Sequence, residues 1–133
     1  MTTKLLIAMQ DSVLTLESSK TNWKLHECLK GTHPQCISFD PSKSNRAYCG
    51  TFGNGLWKTD DYGETWDNIG IDSISSKDVT SVSVSHNLER AKNNNEGFNT
   101  VYVGTEPAVF YRSDDRAESW EKSKAMDFSC ALD

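Results

Sequence analysis

"RAYCGTFGNGLWKTDDYGETW" (Arg46–Trp66) and "TVYVGTEPAVFYRSDDRAESW" (Thr100–Trp120) match position by position at a constant offset of 54 residues, without a gap. Tyr48 meets Tyr102, Gly50-Thr51 meets Gly104-Thr105, Trp57 meets Tyr111, Asp60-Asp61 meets Asp114-Asp115, and both copies end on tryptophan. So many coincidences in one register identify a duplicated supersecondary unit, which decides the fold. Within each copy the apolar pattern has the period of strands, not the 3.6 of helices. "AYCGTF" and "VYVGTE" read as one strand, "GLWKT" and "AVFYRS" as the next, and the segments opening at Trp66 and Trp120 as a third. "CISFD" (Cys36–Asp40) and "TSVSVS" (Thr80–Ser85) add a strand upstream of each copy, which makes four strands per unit.

From this core the pattern extends outward. "KLLIAMQ", "SVLTLES" and "NWKLHECL" form a worn first unit with Trp23 in the place of Trp66 and Trp120, and this unit has no upstream strand. "AMDFSCALD" (Ala125–Asp133) resembles "QCISFD" and supplies a candidate for it. The expected organisation is one domain: residues 1–30 an incomplete first unit, 34–70 the second, 78–122 the third, and 125–133 a strand closing the first. "GTHP" (Gly31–Pro34) links units, a short "PSKSN" turn (Pro41–Asn45) joins the first two strands of the second, and a long polar loop from Asn87 to Asn99 is expected to be exposed.

The stretch Thr59-Asp60-Asp61-Tyr62-Gly63-Glu64-Thr65-Trp66 reads as a hairpin loop. Asp61 accepts backbone N–H bonds of the residues that follow, Gly63 supplies a positive φ, Thr59 and Thr65 bridge the loop ends, and Trp66 lies between sheets. This arrangement resembles the S/T-x-D-x-G-x-T-W pattern of the Asp-box, or BNR repeat, of sialidase-like and related β-propellers. The second copy keeps Ser113, Asp115, Ser119 and Trp120 but has Ala117 in place of the glycine. A left-handed alanine costs roughly 1–2 kcal/mol, so Ala117→Gly is expected to raise the melting temperature. The resemblance implies an all-β fold, a partial propeller of about three four-stranded antiparallel blades with Asp-box hairpin loops.

The functional implications are narrower. The chain carries 14 Lys+Arg against 19 Asp+Glu, a net charge of −5, without the basic stripe that phosphate backbones require, so no nucleic-acid partner is expected. "KLLIAM" (Lys4–Met9) is too short to cross a bilayer and no secretory leader is evident, which reads as soluble and cytoplasmic, with no membrane partner. Cys28, Cys36, Cys49 and Cys130 lack C-x-x-C spacing and His26, His33 and His86 are dispersed, so no metal site and no cofactor is expected and the thiols read as buried. In the resembled family the Asp-box lies at the outer rim and is not catalytic. A sialidase-like hydrolase needs an arginine cluster, a Tyr/Glu pair and an F/Y-R-I-P signature. This chain has only Arg46, Arg90, Arg112 and Arg116, with Arg46 and Arg112 expected to be solvated, and no catalytic residue is assigned.

The candidate binding residues are Thr51, Phe52, Asn54, Thr105 and Glu106, with Pro107 beside them, in the equivalent connections "GTFGNGL" and "GTEPAVF". They project from related places and would line a common surface. Propellers close with about 4–8 blades, so three leave terminal faces exposed. Two arcs making six blades would cover them, as would the remaining blades of a longer protein. The resulting expectation is a non-enzymatic module that binds a protein or glycan and self-associates or belongs to a longer propeller. The alternative is part of a sialidase-like exo-glycosidase whose catalytic residues lie in missing blades.

Overall fold

The computed structural model describes residues 2–86 and 99–123. The expected strand at 125–133, Cys130, Arg90 and most of the Asn87–Asn99 loop lie outside those residues. The described chain is all-β, with eleven strands in three antiparallel sheets and no helix. Among the described residues no helix is therefore long and apolar enough to cross a membrane.

The first sheet contains β1 (Lys4–Ala8), β2 (Val13–Ser18) and β3 (Trp23–Cys28) in the order β1-β2-β3. The second contains β4 (Pro34–Asp40), β5 (Lys43–Thr51), β6 (Leu56–Thr59) and β7 (Asp67–Ile69), and the third contains β8 (Val79–Ser85), β9 (Thr100–Thr105), β10 (Val109–Ser113) and β11 (Glu121–Lys122). Each of these two is a four-stranded meander, while among the described residues the first sheet has no counterpart of the strand that β4 and β8 supply in its neighbours. The Pro41–Asn45 turn is shorter than expected, because β5 already begins at Lys43 and Asp40 Oδ1 accepts the Ser42 N–H at 2.9 Å to tighten the corner.

Strand alternation gives each sheet two faces. The main core lies between the second and third sheets, where Tyr48, Leu56 and Ile74 meet Val79, Val101, Val103, Tyr111 and Ala117. Tyr111 adds a polar tie, its hydroxyl lying 3.2 Å from the Ser75 N–H and 3.0 Å from Ser75 Oγ. Lys58 Nζ donates to the Arg116 carbonyl at 3.0 Å, so a strand of one sheet caps the loop of the next. Between the first and second sheets, Val13, Ala47 and Cys49 are fully buried, and Trp66 Nε1 lies 3.2 Å from Cys28 Sγ. Cys28, Cys36 and Cys49 are free thiols, and burial pushes the Cys49 thiol up to about 12.

Gly63 is at φ +86° and abuts the first sheet: a Cβ there would lie 2.7 Å from Thr15 Cγ2 and 2.8 Å from Leu6 Cδ2. Both backbone strain and a clash follow from adding one methyl. Gly63→Ala is therefore expected to lower the unfolding free energy by about 2–3 kcal/mol in urea titrations; an unchanged midpoint would show that the two sheets do not pack at this point.

Candidate functional site

The hairpin loops fall at two opposite ends of the sheets. At one end, the two acidic loops join β6 to β7 and β10 to β11. Thr59 Oγ1 donates to Asp61 Oδ1 at 2.8 Å and accepts the Gly63 N–H at 2.8 Å. Asp61 also accepts the Thr65 N–H at 2.8 Å and the Thr65 hydroxyl at 2.5 Å. The third sheet repeats the circuit: Ser113 Oγ donates to Asp115 at 2.8 Å and accepts the Ala117 N–H at 2.9 Å, and Ser119 donates to Asp115 through its N–H and its hydroxyl. Tyr62 and Gly63 are left-handed at φ +59° and +86°, as are Arg116 and Ala117 at +61° and +68°.

Burial raises the Asp61 carboxyl, but the Thr65 and Thr59 hydrogen bonds outweigh it and hold its pKa below the ordinary carboxylate value; Asp115 is lowered in the same way through Ser119 and Ser113. A depressed folded pKa contributes stability above the unfolded value, lost as pH falls through the folded one. These carboxylates are thus spent on their own loops.

Two further expectations need correction. Arg46 is 6% exposed, not solvated: its Nε donates to Asp60 Oδ1 at 2.6 Å and its Nη1 lies 3.7 Å from Asp40 Oδ2. The tertiary fold brings Asp40 from the preceding strand to pair with it, and Asn99 Nδ2 also donates to Asp40 at 2.6 Å. Arg112 does remain solvent-accessible, beside Asp114. Ala117 is buried in the main core, so its methyl fills space that glycine would empty.

At the opposite end lie the candidate binding loops. Thr51 and Thr105 are buried and do not project outward, another departure from expectation. Thr51 Oγ1 donates to the Gly55 carbonyl at 2.7 Å and Thr105 Oγ1 to the Pro107 carbonyl at 2.9 Å, so each hydroxyl closes its own hairpin. Phe52 is 49% exposed. Asn54 is exposed and well held: its Nδ2 donates to the Thr32 carbonyl, and its own carbonyl accepts from Trp57 Nε1 and Asn68 Nδ2. Glu106 is exposed beside a cis peptide to Pro107.

A segment that the repeat comparison did not single out, Ser76–Asp78, joins the two loops. The Lys77 carbonyl accepts the N–H groups of Gly53 and Gly55, Asp78 accepts the Glu106 N–H at 2.9 Å, and Ser76 Oγ donates to the Glu106 carbonyl at 2.7 Å. Beside it opens a cavity of about 260 Å³ lined by Asn54, Trp57, Asn68, Ile71, Ile74 and Lys77, among others. Ile71 is 69% exposed. The composition of this segment, polar and between repeats, resembles an ordinary linker, so only the three-dimensional contacts reveal its part. Among the described residues no cluster of three or more His, Cys, Asp or Glu side chains is arranged to hold a metal ion.

No protein-family model matches the chain, and no curated protein is similar to it in sequence. Similar folds do occur among solved structures. YCF48 bound to D1 peptide matches with a TM-score of 0.56 and 12% identity over 92% of this chain. A GH74 xyloglucanase from Xanthomonas campestris matches with a TM-score of 0.59 and 16% identity over 95% of this chain. Both are β-propellers with repeats, and the chain has the fold of part of such a propeller. It spans 43% of the first protein and 22% of the second.

Two measurements test the acidic loops. In Asp61→Asn, the stability lost relative to wild type should be full near pH 6 and shrink as pH falls below about 4; a pH-independent difference would mean that the charge of Asp61 contributes nothing. Ala117→Gly relieves left-handed strain but removes a buried methyl, worth about 1 kcal/mol each way. Its melting temperature should therefore stay within about 2 °C of wild type, and a large rise would show that the strain outweighs the packing.

Proposed function

We propose that this chain is a non-enzymatic β-propeller module that binds an extended protein segment or a glycan at its hairpin-loop end. It acts as an arc of a larger ring, whose further blades come from a second copy or from a longer protein. We read its two acidic loops as Asp-boxes with a structural role.

The observation that carries the binding reading is the loop assembly around Ser76–Asp78. It fixes Phe52, Asn54 and Glu106 on one end, next to the cavity that Ile71 and Trp57 line. Exposed apolar side chains on a rigid, hydrogen-bonded frame, with polar groups at the margin, suit a ligand with both backbone-like and apolar groups. A propeller of the same fold is bound to a peptide, which supports a protein segment as the ligand class. The non-enzymatic reading is supported by the fate of the charged groups: Asp61 and Asp115 are engaged within their loops and Arg46 is enclosed by Asp40 and Asp60.

Peptide and glycan arrays probed with the full chain, followed by calorimetric titration of any hit, test this reading. Phe52→Ser combined with Ile71→Asp should weaken binding at least tenfold, about 1.4 kcal/mol, while Asp61→Asn should leave it unchanged. Capture of nothing on either array, or binding indifferent to the double substitution, would remove the loop end as the site.

A further inference from the structure

The first sheet has two unlike faces. Leu6, Val13, Thr15 and Cys28 face the second sheet, where Leu6 and Thr15 meet Gly63, Cys28 meets Trp66 and Val13 is fully buried. The register places Leu5, Leu16 and Leu25 side by side on the opposite face, followed by Ile7 and Leu14 with Glu27 at the β3 edge of that row, and with Trp23 on the same side. Leu25 is 61% exposed, Trp23 50% and Leu5 43%, and no described residue forms a sheet over them. A contiguous apolar sheet face of this kind marks an interaction surface.

The third sheet shows the complementary condition. In the second sheet, Tyr48, Gly50 and Leu56 form the face that the third sheet covers: Tyr48 and Leu56 are buried, and a Cβ on Gly50 would lie 2.7 Å from the Val79 carbonyl of that covering sheet. The 54-residue offset maps these positions onto Tyr102, Gly104 and Phe110. There Tyr102 and Phe110 stack at 5.5 Å and stay half-exposed. A Cβ on Gly104 would meet only Ser81, from its own sheet. The glycine that allows close approach of a following sheet is therefore repeated, with no following sheet among the described residues.

From these two faces we infer that two copies of this chain dock head to tail, the Leu5–Leu16–Leu25 face of one copy packing on the Tyr102–Gly104–Phe110 face of the other. The inference rests on the reading of the chain as an arc of a ring. The occupant is a second copy because this one chain carries both halves of the junction. The same repeat operation that seats the third sheet on the second then seats the first sheet of a second copy on the third. Because the two faces differ, the contact is heterologous, and two copies close the ring with two equivalent junctions.

Light scattering on the full chain tests it. The wild type should have twice the 14.9 kDa monomer mass. Leu25→Glu in the first face and Ser83→Glu in β8, paired with Tyr102 on the other face, should each halve the mass. Both positions are exposed, and an unchanged circular dichroism spectrum and melt confirm that each variant is folded. An equimolar mixture of the two variants should regain the dimer mass at higher concentration, because one of its junctions joins two unaltered faces. A monomeric wild type, as when residues outside the described ones or blades of a longer protein cover these faces, overturns the inference. So does a dimer disrupted by Leu25→Glu but not by Ser83→Glu, which means like faces pair, and so does a mixture that stays monomeric. Failure of the arrays with the dimer intact would remove the loop-end reading alone.

Discussion

One hydroxyl per acidic loop organises this fold. Thr59 Oγ1, or Ser113 Oγ, donates to the loop aspartate and accepts the N–H of the residue two places beyond it. That pair of bonds holds two consecutive residues left-handed and turns the small one, Gly63 or Ala117, toward the preceding sheet. The tryptophan at the end of the loop is carried the same way, Trp66 against Cys28 and Trp120 to within 3.3 Å of where a Cβ on Gly70 would lie. Sheet stacking thus depends on a hydrogen-bond circuit that lies outside the apolar core, which is why polar residues fix the geometry of apolar contacts here.

The two junctions that result are unequal. Between the second and third sheets lie eight buried residues with two tyrosines, while the first junction rests on small side chains such as Ala47 and Cys49 with Val13. Lys58 strengthens the larger junction through the Arg116 carbonyl; burial lowers its pKa, and Asp60 at 4.0 Å opposes that shift without reversing it. The first sheet is attached through the smaller side chains and also carries the Leu5–Leu16–Leu25 face, which no described sheet covers. Its apolar residues are therefore divided between a modest internal contact and a face that no described sheet covers.

Much of this architecture was legible in the sequence, because duplication leaves local signals that need no tertiary information. Strand positions, the meander order and the hairpin ends follow from alternation and from the aligned glycines and acids around Gly50, Asp61 and their counterparts. What stayed hidden involves partners distant along the chain. Arg46 looks like a surface residue until Asp40 and Asp60 close on it, and Ala117 looks like a defect until its methyl is seen among core residues. Thr51 and Thr105 align as though displayed, but alternation alone does not say which face of an end residue is covered. Of the candidate binding residues, only Phe52, Asn54 and Glu106 reach the surface, and their organiser, Ser76–Asp78, has no periodicity to mark it.

The unbroken meander order has its own consequence. Every described strand pairs only with described strands adjacent to it in sequence, so among these none waits for a distant partner to be synthesised. Pairing neighbours in sequence keeps the loop that each hairpin must close short, and loop-closure entropy grows with loop length. Each sheet can assemble as its strands leave the ribosome, with stacking following from the amino terminus.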